Sequence, residues 1–552
     1  MKNPIKRIDS RDGKLVMAYM YVAFTFLAIG VTMGLLQVLE RTGKFEAFFN
    51  SLNLGYYQIL TLHGVGLGLV LTFFFIVGFM VATQSITTGG YNSKERAMSW
   101  IGFILMLVGT ISAVVMVLLN EATVLYTFYV PLQAHVIFYV GLVLVIVGTW
   151  FNAWLIFMRH ARFRKENPGE RTPLLSYMSV VTMIMWQIAT IGVAISAIFF
   201  IIPWALGLTD TVNVLLTRTL FWYFGHPLVY FWLMPAYMMW YAVIPKIIGG
   251  KIFSDALARL SFILLLFFSI PVGFHHQLTE PGIDPFWKYL QVVLTMFVVV
   301  PSLMTAFSLF ATFESRGREL GAKGMFGWLK KMPWGDARFL APFLGMVLFI
   351  PGGAGGIINA SHQMNQVVHN TLWVTGHFHL TVATSVMLTF FGTTYWLVPH
   401  LTGRVYTPIA NRLGVLQAVL WTVGMLIMST AMHWQGLLGG PRRSAYSEYV
   451  GNADTAAWGS YQIAQAIGGS ILFLGMIVMI IIFVNLAFFA PKGKEEFPIA
   501  VVSDKAEKTP KVFENWPLWI GITVALILFA YTIPLIDIIQ SAPPGAKGYK
   551  FW

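Results

Sequence analysis

Six of the twelve histidines lie within long apolar runs, where an imidazole is costly to place. His63 sits in TLHGVG, His226 in FGHPLVY, His275 and His276 side by side in GFHHQ, and His377 and His379 in GHFH. His63 or His226 alone reads more readily as a packed, hydrogen-bonded side chain than as a ligand. Two adjacent imidazoles in an apolar stretch have no obvious structural purpose, so GFHHQ points more strongly to a metal. GHFH is stronger still. At about 100° per residue, His377 and His379 face opposite sides of one helix, which could then serve two metal centres. Imidazole suits iron and copper, and haem iron takes axial histidine. Tyr230 follows His226 by four residues and shares its helix face, placing a phenol beside the metal. Tyr237 and Tyr241 continue that stripe, and Ser302, Thr305, Ser308 and Thr312 form a hydroxyl row in a later segment. Each row is unremarkable alone, because hydroxyls in a span often bond back to their own helix. Together they make a candidate hydrogen-bonded lane ending at Tyr230.

The elements that must carry these residues are membrane helices. Of the 552 residues 57% are apolar and 11% charged, with a mean hydropathy of +0.71, against about 45–50% and about 25% in soluble domains. This excludes an ordinary soluble enzyme, a disordered chain and a nucleic-acid binder, despite the net charge of +13. Cysteine is absent, so there are no disulfides, no thiolate metal sites and no covalently attached c-type haem. The first residues are too polar for a cleaved signal. Thirteen span-length segments begin near Leu15, Gln58, Ala97, His135, Ser176, Leu220, Leu257, Trp287, Phe339, Leu372, Leu413, Ala464 and Trp516. The expected fold is an all-α, polytopic bundle of about thirteen transmembrane helices, one domain over residues 1–552. With the N-terminus cytoplasmic, 28 of the 36 Lys and Arg fall inside and 8, Arg41 among them, outside. In that orientation all six histidines lie near the outer surface.

WYFGHPLVYFW, PVGFHHQ and GHFH together resemble subunit I of the haem–copper oxygen reductases. NEATVLYTFY, RTLFWYFGHP, PGIDP, VPSLMTAF, PGGAGGI and the Pro-Arg-Arg at 441–443 resemble its B-type, ba-like branch, and the likeness covers nearly the whole chain. The resemblance implies a terminal oxidase that reduces dioxygen to water in a prokaryotic cell membrane. It implies His63 and His379 as axial ligands of a low-spin haem b, and His377 as ligand of a high-spin haem of a or o type. His226, His275 and His276 would hold CuB, with Tyr230 covalently joined to His226. Arg442 and Arg443 would pair with haem propionates, with His369 and Asn365 in the same region. The implied proton lane is Ser254, Tyr241, Ser308, Thr305, Tyr237, Ser302 and Tyr230. A subunit II carrying CuA, cytochrome c as donor and surrounding lipid are the implied partners; a quinol donor would need no such centre.

Three positions depart from relatives. Leu228 stands where the A-type branch has a Glu, Thr375 where a Pro precedes GHFH, and Asn365 where an Asp would meet a propionate. Two rival readings are weighed beside oxygen reduction. A nitric-oxide reductase of the same superfamily would replace the helix-six Tyr and place acids near a non-haem iron, whereas Tyr230 is present and Glu280 is the nearest acid. A cofactor-free transporter with a histidine proton relay would leave GHFH unexplained.

Overall fold

Backbone polar groups in hydrocarbon must pair within their own segment, so uninterrupted apolar runs of this length fold as helices. The computed structural model describes residues 7–445, 453–503, 509–541 and 543–552, and among these the only β pairing is five isolated bridges. Among the described residues twelve helices are long and apolar enough to cross a membrane. They are α1 (Ser10–Glu40), α2 (Tyr56–Thr88), α3 (Ser93–Leu118), α4 (Val136–Glu166), α5 (Leu174–Ala205), α6 (Val214–Ile247), α8 (Pro285–Glu319), α9 (Ala337–Ala360), α10 (Leu372–Thr402), α11 (Pro408–Leu437), α12 (Thr455–Phe489) and α13 (Trp516–Ser541). Each begins within about ten residues of the start expected from the apolar runs.

The seventh segment corrects the expectation. Its helix α7 covers only Asp255–Phe268, 14 residues, or about 21 Å at 1.5 Å per residue, against a hydrocarbon core of about 30 Å. Pro271 supplies no N–H, so the chain leaves the helix at Ser269 and re-forms as a short 3-10 turn over Gly273–Gln277. His275 and His276 therefore sit on that turn, just beyond the helix.

Burial ranks the helices. In their most apolar windows α6, α2 and α10 are 94, 89 and 83% buried, whereas every other span lies between 28 and 50%. Those three carry His226, His63, His377 and His379, so the histidine-bearing helices form the centre of the bundle. Wider, π-type turns follow the histidines in two of them, at Val65–Leu71 in α2 and Thr381–Val386 in α10. Such turns recur at functional sites. At the periphery α3 and α4 pack through glycines, where a Cβ on Gly148 would come 2.5 Å from the Gly102 carbonyl and one on Gly141 2.6 Å from that of Gly109.

Candidate metal centre

Helix α6 presents His226 to the turn carrying His275 and His276, and one nitrogen from each ring lies within 4.8 Å of the other two. His226 Nδ1 and His276 Nε2 are 3.0 Å apart. The Thr295 hydroxyl donates to the Gln291 carbonyl at 2.6 Å, so it must accept from His275 Nδ1–H at 2.9 Å. That fixes the tautomer and leaves His275 Nε2 with its lone pair for a metal. The Trp222 ring stacks on His276 at 3.9 Å and 4°. Two bonds to the backbone hold the turn: Gly273 N–H to the Tyr531 hydroxyl at 3.0 Å, and Phe274 N–H to Gln291 Oε1 at 2.8 Å. No carboxylate joins the three rings among the described residues. Three imidazoles without a hard oxygen donor fit copper. The Tyr230 ring is 4.9 Å from that of His226, whose Nε2 is buried without a hydrogen-bond partner.

His377 Nδ1 meets the Gly352 carbonyl at 2.9 Å, which makes Nδ1 the protonated nitrogen and frees Nε2. Gly355 and Gly356 crowd the ring, since a Cβ on either would lie 3.2 or 3.1 Å from it. PGGAGGI thus lets α9 approach His377 closely. On the opposite flank of α10, the His379 and His63 rings lie 6.1 Å apart between centroids, at 11°. Two imidazoles each bound at about 2 Å to one metal put their centroids roughly 6 Å apart. Their Nδ1 atoms are turned to backbone carbonyls, His63 to Gly30 at 2.8 Å and His379 to Thr375 at 2.8 Å. The opposed faces inferred for GHFH are therefore present, and Thr375 serves through its carbonyl.

His63 and His379 line a cavity of about 270 Å³, together with Gln37, Arg41, Tyr126, Arg442 and Arg443. Arg442 donates to Asn370 Oδ1 at 2.9 Å, but its Nε is buried and unpartnered. The Arg443 guanidinium lies 5.3 and 5.5 Å from the ring centres of Tyr126 and Tyr129. Neither arginine has a carboxylate partner among the described residues, so two adjacent cations face the cavity without an anion. Burial and the neighbouring Arg443 push the Arg442 pKa down to about 10, which still leaves it charged near neutral pH. Burial opposes ionisation of the Tyr126 phenol, but the two guanidiniums bring its pKa below the ordinary value. His369 bonds Asn365 at 3.1 Å, and Asn365 in turn donates to the Asn359 carbonyl at 2.7 Å. Burial first, then Arg442 and Arg218, push the His369 pKa down to about 4. A bis-imidazole cavity of this size with unpaired cations at its rim fits a haem bearing propionates.

A profile of the family described as cytochrome c and quinol oxidase polypeptide I matches residues 14–472. The chain belongs to this family. Cytochrome c oxidase subunit 1 of Thermus thermophilus is 40% identical over 552 residues, covering 98% of this chain and 97% of the relative. Quinol oxidase subunit 1 of Sulfolobus acidocaldarius is 26% identical over half of each chain. A haem–copper terminal oxidase dimer solved by cryo-electron microscopy superposes with a TM-score of 0.92 at 36% identity, covering 98% of this chain and 95% of that one. This oxidase chain is accordingly a multi-pass prokaryotic membrane protein and an oxidoreductase of the haem–copper class, whose members work with haems and copper.

The hydroxyl lane of the oxidase chain is gathered but sparsely bonded. Ser254 caps α7 through the Leu257 N–H at 3.2 Å. The Tyr241 hydroxyl lies among those of Thr305, Ser308 and Ser261, yet closes no hydrogen bond, and Ser308 Oγ is likewise unpartnered. Tyr237 faces Ser302, which bonds back to the Val298 carbonyl at 3.3 Å. Sequence reasoning missed Ser261, whose Oγ accepts from Thr305 at 3.4 Å, and also missed Thr295, Gln291 and Tyr531. They come from three helices, Ser261 from α7, Gln291 and Thr295 from α8 and Tyr531 from α13, so no local spacing announces them.

Proposed function

We propose that this chain is the catalytic subunit of a B-type oxygen reductase, taking electrons from cytochrome c and reducing dioxygen to water. The observation that carries the reading is the three-imidazole cluster with the Tyr230 ring 4.9 Å from that of His226, whose Nε2 is buried without a partner. His226, His275 and His276 would hold CuB, His377 a high-spin haem of a or o type, and His63 with His379 a low-spin haem b. When bound, these groups carry the electrons and hold the dioxygen. The protein's own part is distinct. Tyr230 supplies one electron and one proton where the O–O bond breaks, and a covalent bond to His226 Nε2 would lower the cost of giving them up. The absence of an acid at Leu228 leaves Ser254, Tyr241, Ser308, Thr305, Tyr237 and Ser302 to deliver protons toward Tyr230, water bridging the gaps between hydroxyls.

The N-terminus is read as cytoplasmic, so protons come from the cytoplasm and electrons from outside. Opposed delivery separates charge, worth about 2.3 kcal/mol per charge per 100 mV, and proton pumping would add to it. Arg442 and Arg443 hold propionates, with His369 and Asn365 beside them. Lacking cysteine, the chain would take electrons through a subunit II that carries CuA, and residues 1–552 act as one domain.

The test is a reduced-minus-oxidised spectrum of the detergent-purified complex with and without carbon monoxide, together with metal analysis. Two haems and one copper, with carbon monoxide shifting a single haem, are expected. Two haems with non-haem iron and no copper would turn the assignment to nitric-oxide reduction. A colourless protein would end both redox readings. The lane has its own check: Tyr237→Phe should slow proton uptake in vesicles by about 10²-fold, within the usual contribution of a positioned proton donor. Undiminished uptake would remove Tyr237 from the path.

A further inference from the structure

Arg41 looks, by sequence, like one more charge in an outer loop. The structure turns it inward. Its side chain is 8% exposed and lines the cavity of His63 and His379. Its Nε is buried without a partner, and its guanidinium makes no ion pair or hydrogen bond among the described residues. Glu40, the adjacent residue, does not answer it, for Glu40 Oε2 is itself buried and unpartnered. Neighbouring positions on a helix point about 100° apart, which explains why the two side chains miss each other.

The register of α1 says what Arg41 faces. Gly30 gives its carbonyl to His63 Nδ1, and a Cβ on Gly34 would lie 2.8 Å from the His63 ring. Arg41 is seven residues beyond Gly34, so it returns to the same helix face about 10.5 Å nearer the outer end. Gln37, seven beyond Gly30, lines the same cavity. The face of α1 that supports the axial imidazole at one depth therefore presents a buried cation two turns above it. Arg442 and Arg443 line the same cavity, themselves without carboxylate partners among the described residues. Buried charges need paired or hydrogen-bonded counter-groups, and here three guanidiniums converge on one void.

We propose that Arg41 is a third anchor for the carboxylates of the low-spin haem, reaching the cavity from the end of α1 while Arg442 and Arg443 reach it from the segment after α11. The inference rests on the assignment of this cavity to that haem. Arg41 positions and polarises the bound group and takes no part in the chemistry.

The experiment is a redox titration of the low-spin haem in the purified holoenzyme, for the native chain and for Arg41→Gln, Arg41→Lys and Glu40→Gln, with haem content measured in each. Removing a nearby positive charge favours the oxidised haem, so Arg41→Gln should lower its midpoint potential. Arg41→Lys should restore most of the shift, and Glu40→Gln should move the potential the other way. An Arg41→Gln enzyme with full haem content and an unmoved midpoint would overturn the proposal. So would a downward shift in Glu40→Gln matching that of Arg41→Gln, which would make Arg41 merely the partner of Glu40. If Arg41→Gln does not accumulate, the Arg41→Lys midpoint decides. A small residual drop is expected, because a shorter, point-charge cation keeps the charge but loses the bidentate grip on a carboxylate, and a midpoint identical to native would overturn the proposal. His63→Ala separates the two levels: a low-spin haem unaffected by that substitution would refute the cavity assignment, not the role of Arg41.

Discussion

The two histidine sites of this molecule are built on opposite principles. Around His63 and His379 the protein shapes a void of about 270 Å³ whose lining cations have no anion partner among the described residues. Around His226, His275 and His276 the rings crowd together, one nitrogen of each within 4.8 Å of the others, and His226 and His276 come within hydrogen-bond distance. On the proposed assignment the first site would recognise shape and charge, with two imidazoles a small part of the contact surface. The second would recognise an ion through three nitrogen lone pairs, with Thr295, Gln291 and Tyr531 fixing ring and turn. The two centres should therefore fail separately and by different kinds of damage.

The sharpest separation comes from removing a ligand. His276→Ala deletes one of three imidazoles and should abolish copper in metal analysis, lowering turnover by more than about 100-fold, the upper end for loss of a supporting partner. The low-spin haem spectrum should stay as it was. Loss of that spectrum as well would mean that the two sites fold as one unit, and the comparison would break.

Next in size is steric damage to the other site. Gly34→Ala places a methyl 2.8 Å from the His63 ring, and a ring pinned to the Gly30 carbonyl has little room to retreat. A displacement of this order costs about 10²-fold in a reaction that depends on alignment. The expected signature is a disturbed low-spin haem spectrum with copper content unchanged. Thr295→Val then probes the outer support of the copper site. It removes the acceptor of His275 Nδ1–H and should weaken copper about 10–100-fold, measured by competition with a chelator. An unchanged affinity would show that the turn alone sets the ring.

How much of this could be read in advance depends on how local each signal is. The apolar runs placed twelve spans, because a membrane helix is specified by its own composition. GHFH announced two opposed sites, because helical rotation within three residues is fixed geometry. The shortness of the seventh helix was not legible for the same reason in reverse: SIPVG continues the apolar run of the helix before it, and the missing N–H of Pro271 ends the helix there. Arg41 was legible in principle, since Gly34 and Arg41 share a face. Nothing in α1 alone said that the face looks onto a cavity. Thr295, Gln291, Ser261 and Tyr531 were beyond reach, because their meaning lies in which helices become neighbours.

The smallest functional effect belongs to the glycine seam between α3 and α4, far from either centre. Gly102 and Gly109 on one helix and Gly141 and Gly148 on the other interlock backbone to backbone, so that a Cβ on Gly141 would come 2.6 Å from the Gly109 carbonyl. Membrane helices gain little from hydrophobic exclusion and associate through close packing of small residues. Gly141→Ala must therefore push α3 and α4 apart, with no flexible side chain to absorb the methyl. The expected cost is about 1–3 kcal/mol, as for overpacking elsewhere, seen as a lower inactivation temperature in detergent. Copper content, both haem spectra and turnover below that temperature should match the native enzyme, because the atoms that the four seam glycines face all belong to α3 and α4. A spectral change in Gly141→Ala would instead show that the peripheral pair transmits strain to the centre, and that the independence of the two metal sites is a property of the whole bundle's rigidity.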